Sequence, residues 1–299
     1  MYSIFNYLLP SIKIKKDIQF QYNTVDNIKP ISIQNVPLIY PTKKSILQKR
    51  KEVSLKNIDI QRDQKKLSLI IPYRNRQEHL TQFIPYIEEV LKEQSIDYEI
   101  IIVEQVDKKM FNRAKLMNIG TLHARQDTDY FIFHDVDLLP LNVDYRYCNH
   151  TLKLFNYIIE DDKKVEYAQW IFGGVILIPK TIFTSINGFS NNYWQWGKED
   201  DDFFMRHLLN GYVPLYDSNG TFKAMPHPPS IKTTTDGNVA QNKKILKENK
   251  NAYLKNKKTY SLYKRGLSSN MDDGLSTISD YRIESISIDN NIKTIKIVL

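Results

Sequence analysis

The sequence has little cysteine and no long apolar run. Cys148 is the one cysteine among 299 residues, so no disulfide can form within the chain, which is typical of proteins from reducing compartments. No apolar run reaches the roughly 20 residues that span a bilayer. In the opening segment MYSIFNYLLPSIKIKK the lysines follow the apolar residues, which is the wrong order for a secretory signal. The sequence therefore predicts a cytoplasmic protein without a transmembrane segment, and leaves peripheral contact with a membrane surface open.

Recognition motifs for nucleic acids are also missing, although the formal net charge is +8. The densest basic clusters, QKRKE, KKILKENK and LKNKK, lie in polar segments, where a solvated surface is the simpler explanation. We expect no nucleic-acid partner, whereas an anionic substrate, membrane or polymer remains open. The patterns GxxxxGK[ST] and GxGxxG do not occur, which argues against a P-loop and a dinucleotide-binding fingerprint.

The hydrophobic pattern divides the chain near residue 65. Residues 1–64 show no sustained period and are predicted to form an N-terminal extension, followed by one domain over 65–299. Strands are predicted over 67–71, 98–105 and 129–140, and helices over 77–94 and 111–125. Alternation of buried strands with helices predicts an α/β domain with a mostly parallel central sheet flanked by helices. Downstream, the pattern predicts one or two strands within 163–180, helices over 181–189 and 199–212, and a loop followed by a charged helix within 228–258.

Charged side chains follow two of the predicted strands, where α/β sheets bind ligands. On an extended strand end Asp135 and Asp137 point to the same side, and paired carboxylates suit Mg²⁺ or Mn²⁺. Arg74 and Arg76 follow the first strand, and guanidinium groups bind phosphate bidentately. Tyr73 beside them is placed to lie against a base. Solvated aspartates and surface arginines are the alternatives at this point.

The segment 194-WQWGKEDDD-202 combines aromatic and acidic side chains. Trp194 and Trp196 offer indole faces to the apolar face of a sugar ring. The four carboxylates that follow have two explanations. They open a helix, whose dipole favours acids at its N-terminus, or one of them serves as a general base.

These segments carry a resemblance. The sequence resembles the β-1,4-galactosyltransferase and β-1,4-N-acetylgalactosaminyltransferase family of inverting, metal-dependent enzymes with a GT-A fold. The matching segments keep the family's order and cover about residues 66 to 285. They are IIPYRNRQEHL at 70–80, FNRAKLMNIG at 111–120, FIFHDVDLLPLN at 131–142, FGGVILIPKTIFTSINGFSNNYWQWGKEDDD at 172–202, and DGLST at 273–277.

The resemblance implies a UDP-sugar donor, a glycan acceptor and Mn²⁺, with Mg²⁺ as the alternative. It assigns the donor to Pro72, Tyr73, Arg74, Arg76, Phe111, Arg113, Asp135, Val136, Ile171, Gly174 and Trp196. It assigns the acceptor to Trp196, Gly197, Glu199 and Asp201, and the metal to Asp137, His227 and Met225. Asp200, with Glu199 beside it, matches the catalytic base, which would deprotonate the acceptor hydroxyl for a single displacement with inversion.

The sequence departs from the family at several positions. Ala224 stands three residues before His227, where the family has its methionine ligand, and Met225 is one place out of register. Ile171 replaces the tyrosine of galactose-specific members and leaves room for an N-acetyl group, so UDP-GalNAc is the expected donor, with UDP-Gal next. Lys198 replaces a glycine, which indicates either an anionic acceptor or simple surface exposure.

Further expectations follow from the same resemblance. The family's disulfides and membrane anchor are missing, which favours a bacterial or viral enzyme of surface polysaccharide synthesis, with a β-1,4 linkage. Two alternatives remain open. One is a GT-A transferase that uses UDP-Glc or UDP-GlcNAc, and the other is a non-catalytic glycan-binding relative.

Overall fold

The computed structural model describes residues 65–160, 163–166, 172–217, 219–226, 239–264 and 273–299. The predicted extension 1–64 lies outside these residues, so the boundary near residue 65 stays a prediction. No helix of the described ranges is long and apolar enough to cross a bilayer.

The first half of the fold alternates strands and helices as the pattern predicts. Its elements are β1 Lys66–Tyr73, α1 Gln77–Glu93, β2 Asp97–Gln105, α2 Arg113–Leu122, β3 Tyr130–His134 and β4 Leu138–Asn142. β1 and β2 are apolar and buried on both faces, which is typical of central parallel strands.

The second half begins with short strands and ends in two longer ones. The strands are β5 Leu152–Lys153, β6 Tyr157–Glu160, β7 Lys163–Glu166, β8 Val175–Pro179, β9 Leu215–Tyr216, β10 Thr221–Ala224, β11 Arg282–Asp289 and β12 Ile292–Val298. The helices are α3 Lys180–Ser185, α4 Glu199–Leu209 and α5 Val239–Lys264, and a 3₁₀ turn covers Leu275–Thr277. The predicted loop before α5 falls largely outside the described residues.

An eight-stranded sheet has the order β11-β12-β2-β1-β3-β8-β5-β9. Its central pairs β12–β2, β2–β1 and β1–β3 are parallel, while β8 runs antiparallel to β3 and β5. The α/β class is therefore confirmed, and the sheet is mixed. The parallel centre follows from the crossovers through α1 and α2, which place the ends of β1 and β3 at one edge.

The two faces of this sheet carry the core. Leu69 and Ile71 of β1 pack with Phe83 of α1 on one face, whereas Ile70 packs with α2 on the other. A Cβ on Gly120 of α2 would lie 2.5 Å from Ile70 Cγ2, so only glycine lets this helix approach so closely. This close packing holds the C-terminal half of α2 against the sheet.

The third predicted strand is wrong in one respect: 129–140 is not continuous. It divides into β3 and β4, and β4 belongs to a second, four-stranded sheet with the order β4-β10-β6-β7. The chain turns between them, with the Leu138 N–H donating to the Asp135 carbonyl at 3.3 Å. Because Asp135 and Asp137 lie in a turn, the alternation argument for their shared direction does not apply to them.

The C-terminal hairpin was not predicted from the sequence. β11 and β12 pair antiparallel through a turn at Asn290, which has φ 52°, and β12 extends the parallel centre beside β2. The alternation of isoleucine with polar residues in RIESISID was the signal that could have revealed it.

Candidate active site

The start of α2 connects three segments at the edge of the sheet. The Asn112 side chain caps the helix by accepting from the Lys115 N–H at 2.9 Å. The next residue, Arg113, donates from Nε to Asp135 Oδ1 at 2.7 Å and from Nη2 to the Gly174 carbonyl at 3.4 Å. The β3–β4 turn and the segment before β8 are therefore held against α2 by one guanidinium group.

The acidic run opens α4, as one of the two sequence explanations predicts. Its first turn contains Glu199, Asp200, Asp201 and Asp202, and the preceding Lys198 has the left-handed φ of 81°. Asp200 Oδ1 accepts the Asp201 N–H at 2.8 Å. The other carboxylate oxygen faces the glycine pair before β8, since a Cβ added at Gly173 would lie 3.4 Å from Asp200 Oδ2. The helix dipole favours these charges, and the bare glycine backbone leaves space beside Asp200.

The first two acids of α4 share a site with Arg113 and have perturbed pKa values. Burial, and then the charge of Asp200, raises the pKa of Glu199, while Arg113 opposes this shift. Burial, and then the charge of Asp201, raises the pKa of Asp200, with Arg113 and Lys198 opposing. Carboxyl groups whose protons are held near neutral pH suit general acid–base chemistry.

Glu199 has a further unusual feature. Its Oε2 atom is buried and has no hydrogen-bond partner among the described residues. A buried polar oxygen without a partner costs about 1–3 kcal/mol, so it marks a place where a ligand hydroxyl would be favourable.

The β1–α1 corner holds the predicted phosphate and base contacts. The Arg74 guanidinium lies 5.3 Å from the centroid of the Phe111 ring and donates to the Lys109 carbonyl at 2.6 Å. Arg76 is the N-cap residue of α1, and its N–H donates to the Tyr73 hydroxyl at 3.3 Å. Tyr73 is buried, so little of its ring is available to a base.

The loop that contains Trp194 and Trp196, which we call the tryptophan loop, packs against α5. Asn249 Nδ2 donates to the carbonyls of Trp194 and Trp196, at 3.0 and 3.4 Å. Gly197 has φ 105°, and a Cβ there would lie 2.9 Å from Leu246 Cδ1. The Trp196 side chain remains 46% exposed, so an indole face is available on a fixed loop. No role was predicted for Asn249 or Leu246, because the residues next to them in sequence do not indicate a partner as distant as Trp194, which is 55 positions from Asn249.

Lys198 does not extend into solvent. Its ammonium group pairs with the Asp201 carboxylate and lies 5.5 Å from the centroid of the Tyr253 ring of α5. The Lys198 and Asp201 side chains are 17% and 22% exposed. Both sequence explanations of Lys198 are therefore weakened, since its charge is already paired within the site.

A buried polar cluster holds α4, the helix that begins with the acidic run, against its neighbours. Arg206 of α4 pairs with Asp202 at 2.8 Å and donates to the Asp273 carbonyl at 3.0 Å. Asp273 opens the DGLST segment, and its Oδ1 accepts the Asn191 N–H at 2.7 Å. Asn256 of α5 completes the cluster by donating to Asp202 Oδ2 at 3.0 Å. These contacts give DGLST a structural role, which is to fix the base of α4.

The predicted metal ligands are partly described. The Met225 N–H donates to the Asp137 carbonyl at 2.8 Å, which places these two residues side by side, and the Met225 side chain is buried. Within the described ranges, no group of three or more His, Cys, Asp or Glu could hold a metal ion. His227 lies outside those ranges, directly after Pro226, whose carbonyl is 3.2 Å from His79 Nε2. The carboxylate would suit Mn²⁺ or Mg²⁺, and an imidazole and a thioether beside it would favour Mn²⁺ over the harder Mg²⁺.

Two residues near the aspartates serve the core. Val136 is 7% exposed. His134 is fully buried beside Tyr145, with its Nε2 2.8 Å from the tyrosine hydroxyl, and burial lowers its pKa to about 4. His134 is therefore a packed neutral residue.

Ile171, on which the donor expectation rests, lies outside the described residues.

Family models match both halves of this site. One, described as the N-terminal region of glycosyl transferase group 7, matches residues 38–149, and the other, described as the N-terminal domain of galactosyltransferase, matches residues 156–227. Together they cover more than half of the chain. The chain belongs to the β-1,4-galactosyltransferase family.

Curated members of the β-1,4-galactosyltransferase family are similar to part of this chain. Bovine β-1,4-galactosyltransferase 1 is 44% identical over 155 residues, which cover 49% of this chain and 37% of the relative. Mouse β-1,4-galactosyltransferase 7 is 33% identical over 184 residues, covering 60% of this chain and 56% of the relative. The chain thus matches between 37% and 56% of the length of these relatives.

A solved structure extends the similarity to the fold. A Drosophila β-1,4-galactosyltransferase 7 mutant in complex with manganese, UDP-Gal and xylobiose has a TM-score of 0.62 and 27% identity. The alignment covers 79% of this chain and 94% of the solved chain. The GT-A fold expected from the sequence is confirmed.

Proposed function

We propose that this chain is an inverting, metal-dependent transferase that moves galactose from UDP-Gal to a hydroxyl of a glycan, forming a β-1,4 linkage. The observation that carries the proposal is the contact of Arg113 with Asp135 and Gly174, next to the raised-pKa pair Glu199 and Asp200. The names of the relatives and the UDP-Gal complex of the Drosophila enzyme support the donor.

Asp200 is the proposed general base. In the proposed reaction, Asp200 removes the acceptor hydroxyl proton as that oxygen forms a bond to the anomeric carbon and the bond to UDP breaks. A carboxylate with a raised pKa is a stronger base than a surface aspartate and is still ionised at mildly alkaline pH. Glu199 is proposed to bind a sugar hydroxyl through Oε2, which has no hydrogen-bond partner among the described residues.

The basic residues at the sheet edge are proposed to bind the nucleotide. Arg74 packs on Phe111, and Arg76 begins α1 at the same corner, so both guanidinium groups are near the end of β1. Arginine binds phosphate oxygens in a forked geometry. Trp196 would contact the sugars, and Gly197 and Asp201 would line the acceptor side.

Asp137, Met225 and His227 are the proposed ligands of Mn²⁺, with Mg²⁺ as the alternative. When bound, the ion would stabilise the negative charge of the departing diphosphate. Asp135, in contrast, is engaged by Arg113 and is proposed to contact the donor.

UDP-GalNAc is the second candidate donor, favoured by Ile171 in place of a tyrosine. UDP-Glc and UDP-GlcNAc are the remaining donor alternatives, and a non-catalytic glycan-binding relative is the remaining alternative class. Location in the cytoplasm and a part in bacterial or viral surface polysaccharide synthesis rest on the sequence alone and stay predictions.

A donor panel tests the proposal. UDP release is measured with UDP-Gal, UDP-GalNAc, UDP-Glc and UDP-GlcNAc, each with Mn²⁺, Mg²⁺ or EDTA, with neutral disaccharide acceptors including xylobiose and with an anionic oligogalacturonate acceptor. We expect Mn²⁺-dependent release from UDP-Gal and a β-configured product by NMR. Faster turnover of UDP-GalNAc would replace the donor and keep the reaction. An α-linked product, or UDP binding without turnover of any donor on any acceptor, would contradict the proposed function.

A further inference from the structure

α5 has one face that is densely basic and free of acids. Lys243, Lys247, Lys250 and Lys258 are all exposed and follow one another at helical spacings of four, three and eight residues. We call these four residues the lysine face. At about 1.5 Å per residue the lysine face is roughly 22 Å long.

The lysine face is unpaired within the described chain. No carboxylate of the described residues lies within ion-pair distance of its four ammonium groups. The one acid between them, Glu248, pairs with the flanking Lys244 at 4.0 Å. The positive charge of this face is therefore available to a partner.

The opposite face of α5 is built into the candidate active site. Asn249, Tyr253 and Asn256 are buried, and they contact the tryptophan loop, Lys198 and Asp202, respectively. The lysine face thus lies on the outer side of the helix that holds the proposed acceptor loop.

The arrangement of these lysines opposes helix stability. Lys243 and Lys247 are four positions apart and Lys250 follows three positions later, and like charges at these spacings on a helix repel one another. A polyanion bound along the helix would relieve this repulsion.

We infer that the lysine face binds an extended anionic glycan, so that the acceptor of this enzyme is a polymer with carboxylate or phosphate groups beyond its terminal sugar. This inference rests on the proposed acceptor site beside Trp196. Because charge attraction between exposed groups is long-ranged but screened by salt, binding should weaken as ionic strength rises.

A glycan fits this face better than a membrane surface does. The exposed apolar residue in line with the lysines is Leu254, at 60% exposure, and the other exposed residues described between Lys243 and Lys258 are polar or charged. Peripheral membrane helices combine basic residues with a broad apolar face that enters the lipid. The outer side of α5 has no such face among its described residues.

The test compares two charge-reversal variants of the full chain. One carries Lys243→Glu, Lys247→Glu and Lys250→Glu, and the matched control carries Lys92→Glu, Lys163→Glu and Lys164→Glu at exposed positions elsewhere. Binding of a long oligogalacturonate, and of a neutral dextran of similar length, is measured by calorimetry at low and high salt. A Lys→Gln version of the first variant excludes effects of the added acids.

We expect the wild type to bind the oligogalacturonate and not the dextran, and the α5 variant to lose about tenfold or more in affinity. The control variant should lose less than about threefold. Equal losses in both variants, or no binding by the wild type, would overturn the inference. Tighter lysine-dependent binding to phosphatidylglycerol vesicles than to the oligogalacturonate would overturn it in favour of a membrane. Because binding is measured without a donor, this result is independent of the donor panel, which tests the proposed function.

Discussion

Arg113 and Asp135 lie 22 positions apart and form an ion pair at 2.7 Å, where α2 begins and β3 ends. The charge of the same guanidinium opposes the upward pKa shifts of both Glu199 and Asp200. One residue therefore fixes the β3–β4 turn and sets the charge around the proposed base.

Replacement of Arg113 tests this double role. Arg113→Ala should lower kcat/KM on the order of 10²-fold, the scale for loss of an electrostatic donor in an active site. It should also move the acid limb of the pH–rate profile to higher pH, because Arg113 opposes the upward pKa shift of Asp200. Arg113→Lys retains the charge and should restore the position of the acid limb more than it restores kcat/KM. An unshifted acid limb in Arg113→Ala would contradict the electrostatic role.

Replacement of Lys198 gives a second test of what sets the pKa of Asp200. Lys198 lowers the pKa of Asp200, and Asp201, which it neutralises, raises it. Lys198→Ala removes the favourable charge and leaves Asp201 unpaired, so both effects raise the pKa of Asp200. The acid limb should move to higher pH, while turnover well above that pKa should change less than about tenfold. Lys198→Gly, which suits the left-handed φ, separates this effect from backbone strain.

Glu199 should oppose stability at neutral and alkaline pH. The pKa of Glu199 is raised in the folded state. Its contribution to the free energy of unfolding is therefore fully present below the unfolded-state pKa of about 4.3. That contribution is lost as the pH rises through the folded-state pKa. Glu199→Gln removes this loss. The variant should match the wild type in Tm at pH 4, exceed it by a few degrees at pH 8, and be much less active. A Tm difference independent of pH would contradict the account.

The buried cluster beneath α4 should govern stability. Asp202 and Arg206 are both 1% exposed, and Asp202 also accepts from the Tyr193 hydroxyl at 2.9 Å. Asp202→Asn removes the closer of the two carboxylates that pair with Arg206 and leaves Asp273 Oδ2 at 3.6 Å, so it should cost about 3 kcal/mol in the free energy of unfolding. Denaturant unfolding measures it, with Asp127→Asn at the exposed Lys66 pair as a control expected to change little.

The sequence was informative where local pattern and fold topology agree. Alternating buried strands and helices placed the ends of β1 and β3 at one edge, and the acids of α4 were recognised as both a helix start and a candidate site. The turn at Asp135 to Asp137 was not predictable from periodicity, because FIFHDVDLLP has the apolar content of one long strand. The turn is required because β4 pairs within the second sheet and not within the sheet of β3.

Other features depend on contacts that are distant in sequence. Asn249 reaches Trp194 across 55 positions, and Arg206 reaches Asp273 across 67. Neither lies in an arrangement that local spacing could reveal, because a side-chain hydrogen bond imposes no period on the sequence. The resemblance singled out DGLST, but only the structure indicates what that segment holds in place.

The base itself is the most direct test of the account. The measurement is single-turnover UDP-Gal consumption with a working acceptor by Asp200→Asn, alongside UDP affinity by calorimetry. Asparagine keeps the size and the hydrogen bond from the Asp201 N–H but cannot take a proton. The account predicts unchanged UDP affinity and a rate lower by about 10²–10⁴-fold at every pH. A rate close to that of the wild type would contradict it.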